Sequence, residues 1–279
     1  TKEDPATELN HPNQKSRVNP LDIVFANCAR AQEALRVIEE FTRDSNQPLG
    51  IISAKIRYGL YEIEKEILKS SNKNRRLNIL KETKLCLVTE IHPNLVSIVS
   101  SALKEGVRMI QYRSKEENDL TKVSQAKELA AICKKYNSLL IINDRIDIAL
   151  AVNADGVHLG QEDFPFHDAK RLLGDEKILG MSTHSFEQAQ KAQQEGWDYI
   201  GVGPIFNSKS KPHVNPLELK TLKQISSKIQ LPFFAIGGID DLNISEVMKN
   251  GAKRIAVINS IINSDDAAIA SRKLLNCLK

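Results

Sequence analysis

Residues 139–163 read LLIINDRIDIALAVNADGVHLGQED. Two short apolar runs, Leu139 to Asn143 and Gly156 to Leu159, each end in polar residues and lead into a helical stretch, which is the strand-helix-strand pattern. The same unit recurs on both sides of this segment, at intervals of roughly 20 to 30 residues. The other runs are Leu85 to Thr89, Met109 to Arg113, Ile178 to Ser182, Tyr199 to Gly203, Phe233 to Ile236 and Arg254 to Ile258. Near-continuous apolar strands imply a parallel sheet covered on both faces. Eight such units from Lys84 onward, with no G-x-G-x-x-G after the first strand, favour a closed barrel over an open doubly wound sheet. The fold class expected is α/β, a (β/α)8 TIM barrel over residues 84–279, preceded by a short all-α N-terminal segment.

Between the runs lie helix candidates. In Leu120 to Tyr136 the residues Val123, Ala126, Leu129, Ala130 and Cys133 share one face. Phe186 to Glu195 starts after Ser185, a good N-cap, and stops at Gly196. The N-terminal part differs in kind. Residues 1–16 are polar and rich in Pro, Asn and Lys, a flexible lead-in. Residues 17–71 carry two amphipathic patterns, Asp22 to Phe41 and Ile51 to Leu68, and residues 72–83 read as a charged linker. The cluster Lys73, Arg75 and Arg76 belongs to that linker and is too small for a nucleic-acid face.

Composition narrows the class without naming a function. The balance of 41% hydrophobic and 27% charged residues is that of a soluble globular protein, and a net charge of +4 suits phosphorylated metabolites better than nucleic acid. Cys28, Cys86, Cys133 and Cys277 form no C-x-x-C pair or zinc-type cluster, so reduced thiols are expected. No signal peptide and no apolar run of the ~18 to 20 residues that span a membrane can be found, so the expectation is a cytoplasmic protein without membrane or nucleic-acid partners. A homo-oligomer is compatible with all of this.

In such a barrel the chemistry projects from the C-terminal strand ends. After the second run comes Gln111-Tyr112-Arg113-Ser114-Lys115, where alternation puts Gln111, Arg113 and Lys115 on one side, fit to bind a diphosphate. Solvated charges at a strand end are the competing reading. Asp144 and Asp163 end neighbouring strands and can share Mg2+, which takes few carboxylates and completes its shell with phosphate oxygens and water. Singly, each is as well read as a cap, Asp144 of a helix and Asp163 before Pro165. His158 reads as a structural histidine, and Ser182 or Ser185 as a helix start. The loop from Gly203 to Pro212 has the hydroxyls and cations of a mobile lid, or is a plain flexible loop. Ala235-Ile236-Gly237-Gly238-Ile239 and Ile255 to Ser260 follow the last two runs, where barrels frequently bind phosphate. No hydrolase trio of nucleophile, base and acid has recognisable spacing.

Six strings, Q-Y-R-S-K, I-N-D-R, A-D-G-V-H-L-G-Q-E-D, G-M-S-T-H-S, Y-I-G-V-G-P-I-F and A-I-G-G-I, occur in the order seen in thiamine phosphate synthases, and from Lys84 onward the chain resembles that family. The resemblance implies a transferase that joins 4-amino-2-methyl-5-(diphosphooxymethyl)pyrimidine to thiazole phosphate, releasing pyrophosphate in a dissociative, Mg-assisted reaction. It implies that Gln111, Tyr112, Arg113, Ser114, Lys115 and Asn143 hold the pyrimidine diphosphate, with Asp144 and Asp163 on Mg2+. Arg113, Lys115, Ser182 and Lys211 would take the catalytic part, Lys211 reaching the leaving pyrophosphate. Ser208, Lys209 and Ser210 would meet the thiazole, and Gly238, Ile258 and Asn259 its phosphate. Serines stand at 208 and 210 where the family commonly has threonine, and Asn259 stands where serine is common.

N-P-L-D-I-V-F-A-N-C-A-R-A-Q-E-A-L-R-V-I-E-E-F resembles part of a helical extension fused to these synthases in some bacteria and associated with phosphorylating the pyrimidine monophosphate. Asn27, Arg30, Glu33 and Arg36 are the candidate residues for that activity, and a face of solvated charges is the reading set against it. Two rivals to the synthase are a thiazole-tautomerase-like paralogue, which needs no diphosphate and Mg apparatus, and a non-catalytic sensor of phosphorylated ligands.

Overall fold

A computed structural model of the chain describes residues 20–207 and 215–279. The expected lead-in at 1–16 and the residues Ser208, Lys209, Ser210, Lys211 and Pro212 of the expected lid lie outside the described residues.

Two compact units divide at Ser71 and Asn72. In the first, α1 (Pro20–Phe41) is followed by α2 (Gln47–Glu82), which crosses that boundary. Gln32 donates to Glu64 at 2.8 Å and Arg57 donates to Glu39 at 2.9 Å, so contacts advance along α1 as they retreat along α2, an antiparallel hairpin. Both amphipathic patterns are therefore helices, although Phe41, Ile51, Tyr58 and Ile63 keep apolar surface exposed.

The second unit is a closed, all-parallel barrel in strand order β1 to β8. In chain order come β1 (Leu85–Val88), α3 (Leu95–Lys104), β2 (Met109–Tyr112), α4 (Asp119–Lys135), β3 (Leu139–Asn143) and α5 (Ile146–Ala151). Then follow β4 (Gly156–Leu159), α6 (Phe166–Leu173), β5 (Ile178–Thr183), α7 (Phe186–Glu195), β6 (Tyr199–Val202) and α8 (Leu219–Lys228). The last part is β7 (Phe233–Ile236), α9 (Ile244–Lys249), β8 (Ile255–Val257), α10 (Asn259–Ile262) and α11 (Ala267–Cys277). Ser185 caps α7 by accepting from the Gln188 N–H, as its position suggests. Among the described residues no helix is long and apolar enough to cross a membrane.

Strand alternation divides the core. Residues such as Ile110, Leu140, Val157 and Leu179 point out to the helices, and Cys86, Met109, Leu139, Ile141, Ile178 and Phe234 point in. Ile79 and Leu80 join this inner cluster and are 4% and 1% exposed. They sit in the segment expected to be a linker, and that expectation is corrected: residues 72–82 are the last three turns of α2 and belong to the barrel unit. The Lys73, Arg75 and Arg76 cluster is likewise more than a solvated charge run. Arg76, 6% exposed, donates to Asp155 at 2.9 Å and to the Glu176 carbonyl at 3.1 Å, while Arg75 donates to Asp155 at 2.7 Å. Asp155 in turn accepts from the Leu140 N–H. Charged composition concealed a helix whose apolar residues plug the barrel and whose arginine pins it there.

Candidate active site

The strand ends surround a cavity of about 440 Å³ lined by Gln111, Arg113, Asn143, Ser182, Gly238, Ile258 and Asn259 among others. Seven candidate residues from five strand ends thus face one space. Alternation explains which neighbours do not. Met109 and Gln111 point into the barrel, so Tyr112 points out, buried among the helix-facing residues, and its hydroxyl donates to Gln125 Oε1 on α4 at 2.8 Å. The expectation that Tyr112 touches substrate is corrected on that ground. Ser114 continues on the same side, next to the Tyr112 phenol, which removes it from the cavity as well. Arg113 is anchored through its backbone N–H, which donates to Thr89 Oγ1 at 2.9 Å.

Lys115, Asp144 and Asp163 form an exposed rim beside this cavity. Asp144 caps no helix: α5 begins after Arg145, and Asp144 itself has a left-handed backbone with φ 61°. Asp163 is not the residue that opens α6 either; its Oδ2 accepts from the Gly160 N–H at 2.6 Å, which folds the β4 loop back on itself. Partial desolvation first, and then the charge and hydrogen bonding of Asp163, push the Asp144 carboxyl up to about 6, while Arg113 and Lys115 pull it down. Two carboxylates that repel each other, with cations and a phosphate-sized space adjacent, fit a hard divalent cation. Among the described residues no group of three or more His, Cys, Asp and Glu side chains could hold a metal ion, so substrate oxygens and water would have to complete the shell.

Deeper in, a row of polar side chains crosses the cavity floor. His158 Nε2 lies 2.9 Å from Ser182 Oγ, and His158 Nδ1 lies 3.0 Å from the Tyr199 hydroxyl, which also bonds the Gln111 side chain. Burial raises the Tyr199 phenol well above its ordinary value, so it keeps its proton. Ser182 therefore starts no helix. It sits in β5, its carbonyl accepting from Gln161 Nε2 at 2.6 Å. Tyr199 was visible only as part of an apolar run, since its role depends on which strands become neighbours.

On the opposite arc, Gly237 and Gly238 take φ 103° and 64°. A Cβ on Gly237 would lie 2.5 Å from Pro204 Cβ, and one on Gly238 would lie 2.6 Å from the Asn207 carbonyl. Only glycine lets this turn lie against the β6 loop with its N–H groups available. The Gly238 carbonyl accepts from Asn243 Nδ2 at 2.7 Å, which fixes the turn. Beside it α10 begins at Asn259, whose side-chain oxygen accepts from Asn263 Nδ2 at 3.1 Å. Its amide nitrogen and the backbone of the first turn remain as donors toward an anion.

The family model described as thiamine monophosphate synthase matches residues 85–261, and the model described as the ThiD2 family matches residues 1–66. A thiamine-phosphate synthase from Prochlorococcus marinus is 53% identical over 276 residues, covering 99% of this chain and 80% of that protein. Another from Synechococcus sp. (strain WH7803) is 45% identical over 283 residues, with 100% and 80% covered. Among solved structures, a thiamine phosphate pyrophosphorylase from Pyrococcus furiosus superposes with a TM-score of 0.65 at 34% identity, covering 73% of this chain and 96% of that one.

Proposed function

The chain belongs to the thiamine monophosphate synthase family and is a transferase of thiamine biosynthesis, and from this premise we propose that its barrel joins 4-amino-2-methyl-5-(diphosphooxymethyl)pyrimidine to thiazole phosphate. The observation that carries the reading is one cavity with two anion-binding arcs, Gln111, Arg113 and Asn143 on one side and Gly238 with Ile258 and Asn259 on the other. Two phosphorylated substrates need two such subsites.

In the reaction the methylene C–O bond breaks with its electron pair going to the diphosphate, and the thiazole nitrogen lone pair forms the new C–N bond. Arg113 and Lys115 offset the charge that grows on the departing diphosphate, an electrostatic contribution made where it is largest. Ser182 donates a hydrogen bond to the same group, and Lys211 is the further cation that the family resemblance assigns to it. Ser208, Lys209 and Ser210 orient the thiazole. Asp144 and Asp163 would hold Mg2+, which when bound supplies positive charge against diphosphate oxygens. No covalent nucleophile is required, because the leaving group departs before capture.

Purified protein supplied with both substrates should form thiamine phosphate and pyrophosphate with Mg2+ and stop with excess chelator. Product that survives chelation removes the metal assignment. No product from folded protein that still binds thiazole phosphate favours a tautomerase-like or ligand-sensing protein. The phosphorylated substrates suit the cytoplasmic location expected from the sequence.

A narrower observation, the ThiD2 family match over residues 1–66, supports a second activity, phosphorylation of the pyrimidine monophosphate. Asn27, Arg30, Glu33 and Arg36 are all exposed on α1 and open to a ligand, Arg36 being paired with Glu40 at 3.2 Å. ATP-dependent formation of the diphosphate tests this, and no formation in the presence of active synthase rejects it for this chain.

A further inference from the structure

His158, Gly180 and Tyr199 stand side by side on three strands, His158 paired with Gly180 and Gly180 with Tyr199. A Cβ on Gly180 would collide with the Tyr199 ring and lie 2.5 Å from its hydroxyl, so the position admits no side chain. That gap lets the phenol reach across β5 to His158 on β4. Two residue pairs nearer the mouth, Ser182 stands opposite Gly201, where a Cβ would press on His158 Cε1 at 3.3 Å. Two glycines thus clear a path along which Gln111, Tyr199, His158 and Ser182 touch in sequence. The first three are 6%, 1% and 7% exposed, so water does not compete for these bonds.

Each member has a limited stock of protons. A phenol has one to give, a neutral imidazole has one, and a serine has one. When the Gln111 amide N–H donates to the Tyr199 oxygen, the phenol must donate to Nδ1, the imidazole proton must sit on Nε2, and Nε2 must donate to Ser182 Oγ. Ser182 then turns its own O–H toward the cavity. The reverse sense would aim only lone pairs at a diphosphate whose oxygens are themselves acceptors, so the order that Gln111 sets in the free protein is also the one an anionic ligand accepts.

We propose that Tyr199 and His158 are positioning residues, a proton-ordered relay that presents Ser182 as a hydrogen-bond donor to the leaving diphosphate. The ligand identity rests on the synthase reading above, whereas the tautomer of His158 does not.

The test combines a spectrum with kinetics. In substrate-free full-chain protein labelled with 15N-histidine, and assigned with His158→Leu, His158 should show a pyridine-like Nδ1 and a pyrrole-like Nε2. Tyr199→Phe should erase that preference. With Mg2+ and both substrates it should lower kcat about tenfold, the worth of one buried hydrogen bond, with KM changed less than twofold. In a Ser182→Ala background the same change should add nothing, because the relay has lost its end. His158→Leu gives the same cycle should Tyr199→Phe fold poorly. An Nδ1–H tautomer or an imidazolium in the parent protein, or effects of the two substitutions that multiply, would overturn the relay. If the parent makes no thiamine phosphate, the synthase reading fails while the spectrum still decides the order of protons.

Discussion

Asp144 and Asp163 confront each other across the ends of β3 and β4, one held in a left-handed backbone and the other tied down by the Gly160 N–H. Asp163, tied to the Gly160 N–H, is confined beside Asp144 and repels its carboxyl.

The first prediction follows from that confinement. Asp144 is raised from 3.8 to about 6, so the folded protein holds this proton more tightly than the unfolded chain does. Its favourable contribution is complete below about pH 4 and is lost as pH rises through about 6. In chelator, Asp144→Asn should therefore stabilise the protein at pH 7.5 by about 1 kcal/mol, a small figure because the exposed side chain is screened by water, and do nothing at pH 3.5. Urea melts at the two pH values check it, and the same variant should lose Mg-dependent turnover.

Gly238→Ala should act on one substrate only. The added Cβ meets the Asn207 carbonyl, and the turn must shift away from the first turn of α10. We expect a loss of about 2 kcal/mol in stability and a KM for thiazole phosphate raised about tenfold, against little change for the pyrimidine diphosphate. Initial rates with each substrate varied in turn separate the two.

Tyr112→Phe distinguishes a structural from a substrate-binding tyrosine. Losing the bond to Gln125 should cost about 1 kcal/mol in a thermal melt and leave both KM values unchanged. A raised KM for the diphosphate would return Tyr112 to the site.

Arg76→Ala should be costly although it is far from the cavity. It removes the guanidinium buried against Asp155 and Glu176 and leaves Asp155 only the more exposed Arg75, a loss of about 2 kcal/mol. Denaturant midpoints should fall while kcat of the folded fraction stays the same.

What could be read in advance divides along a physical line. Runs such as Leu139 to Asn143 and Phe233 to Ile236 are legible because a strand buried on both faces must be apolar throughout, whatever its neighbours. The two glycines at 237 and 238 are legible because their backbone demands them. Asn72 to Glu82 was not, since Ile79 and Leu80 are two apolar residues in a charged stretch and acquire meaning only against the barrel interior. Tyr199 and Gly180 were hidden more deeply: their partnership is set by strand pairing, and no local pattern marks a glycine whose task is to leave room for a residue on another strand. Alternation, followed strictly, already separated Tyr112 from Gln111 and Arg113.

The closed floor of the barrel has a consequence for anyone who trims the gene. The family match starts at residue 85, which invites a cut just before it. Such a cut would remove Ile79, Leu80 and Arg76, open the interior to water beneath Met109 and Leu139, and leave Asp155 its bond from the Leu140 N–H but no guanidinium. A truncation meant to yield the barrel by itself should begin at Asn72, because the first eleven residues kept that way are its bottom lid and not a remnant of the preceding helices.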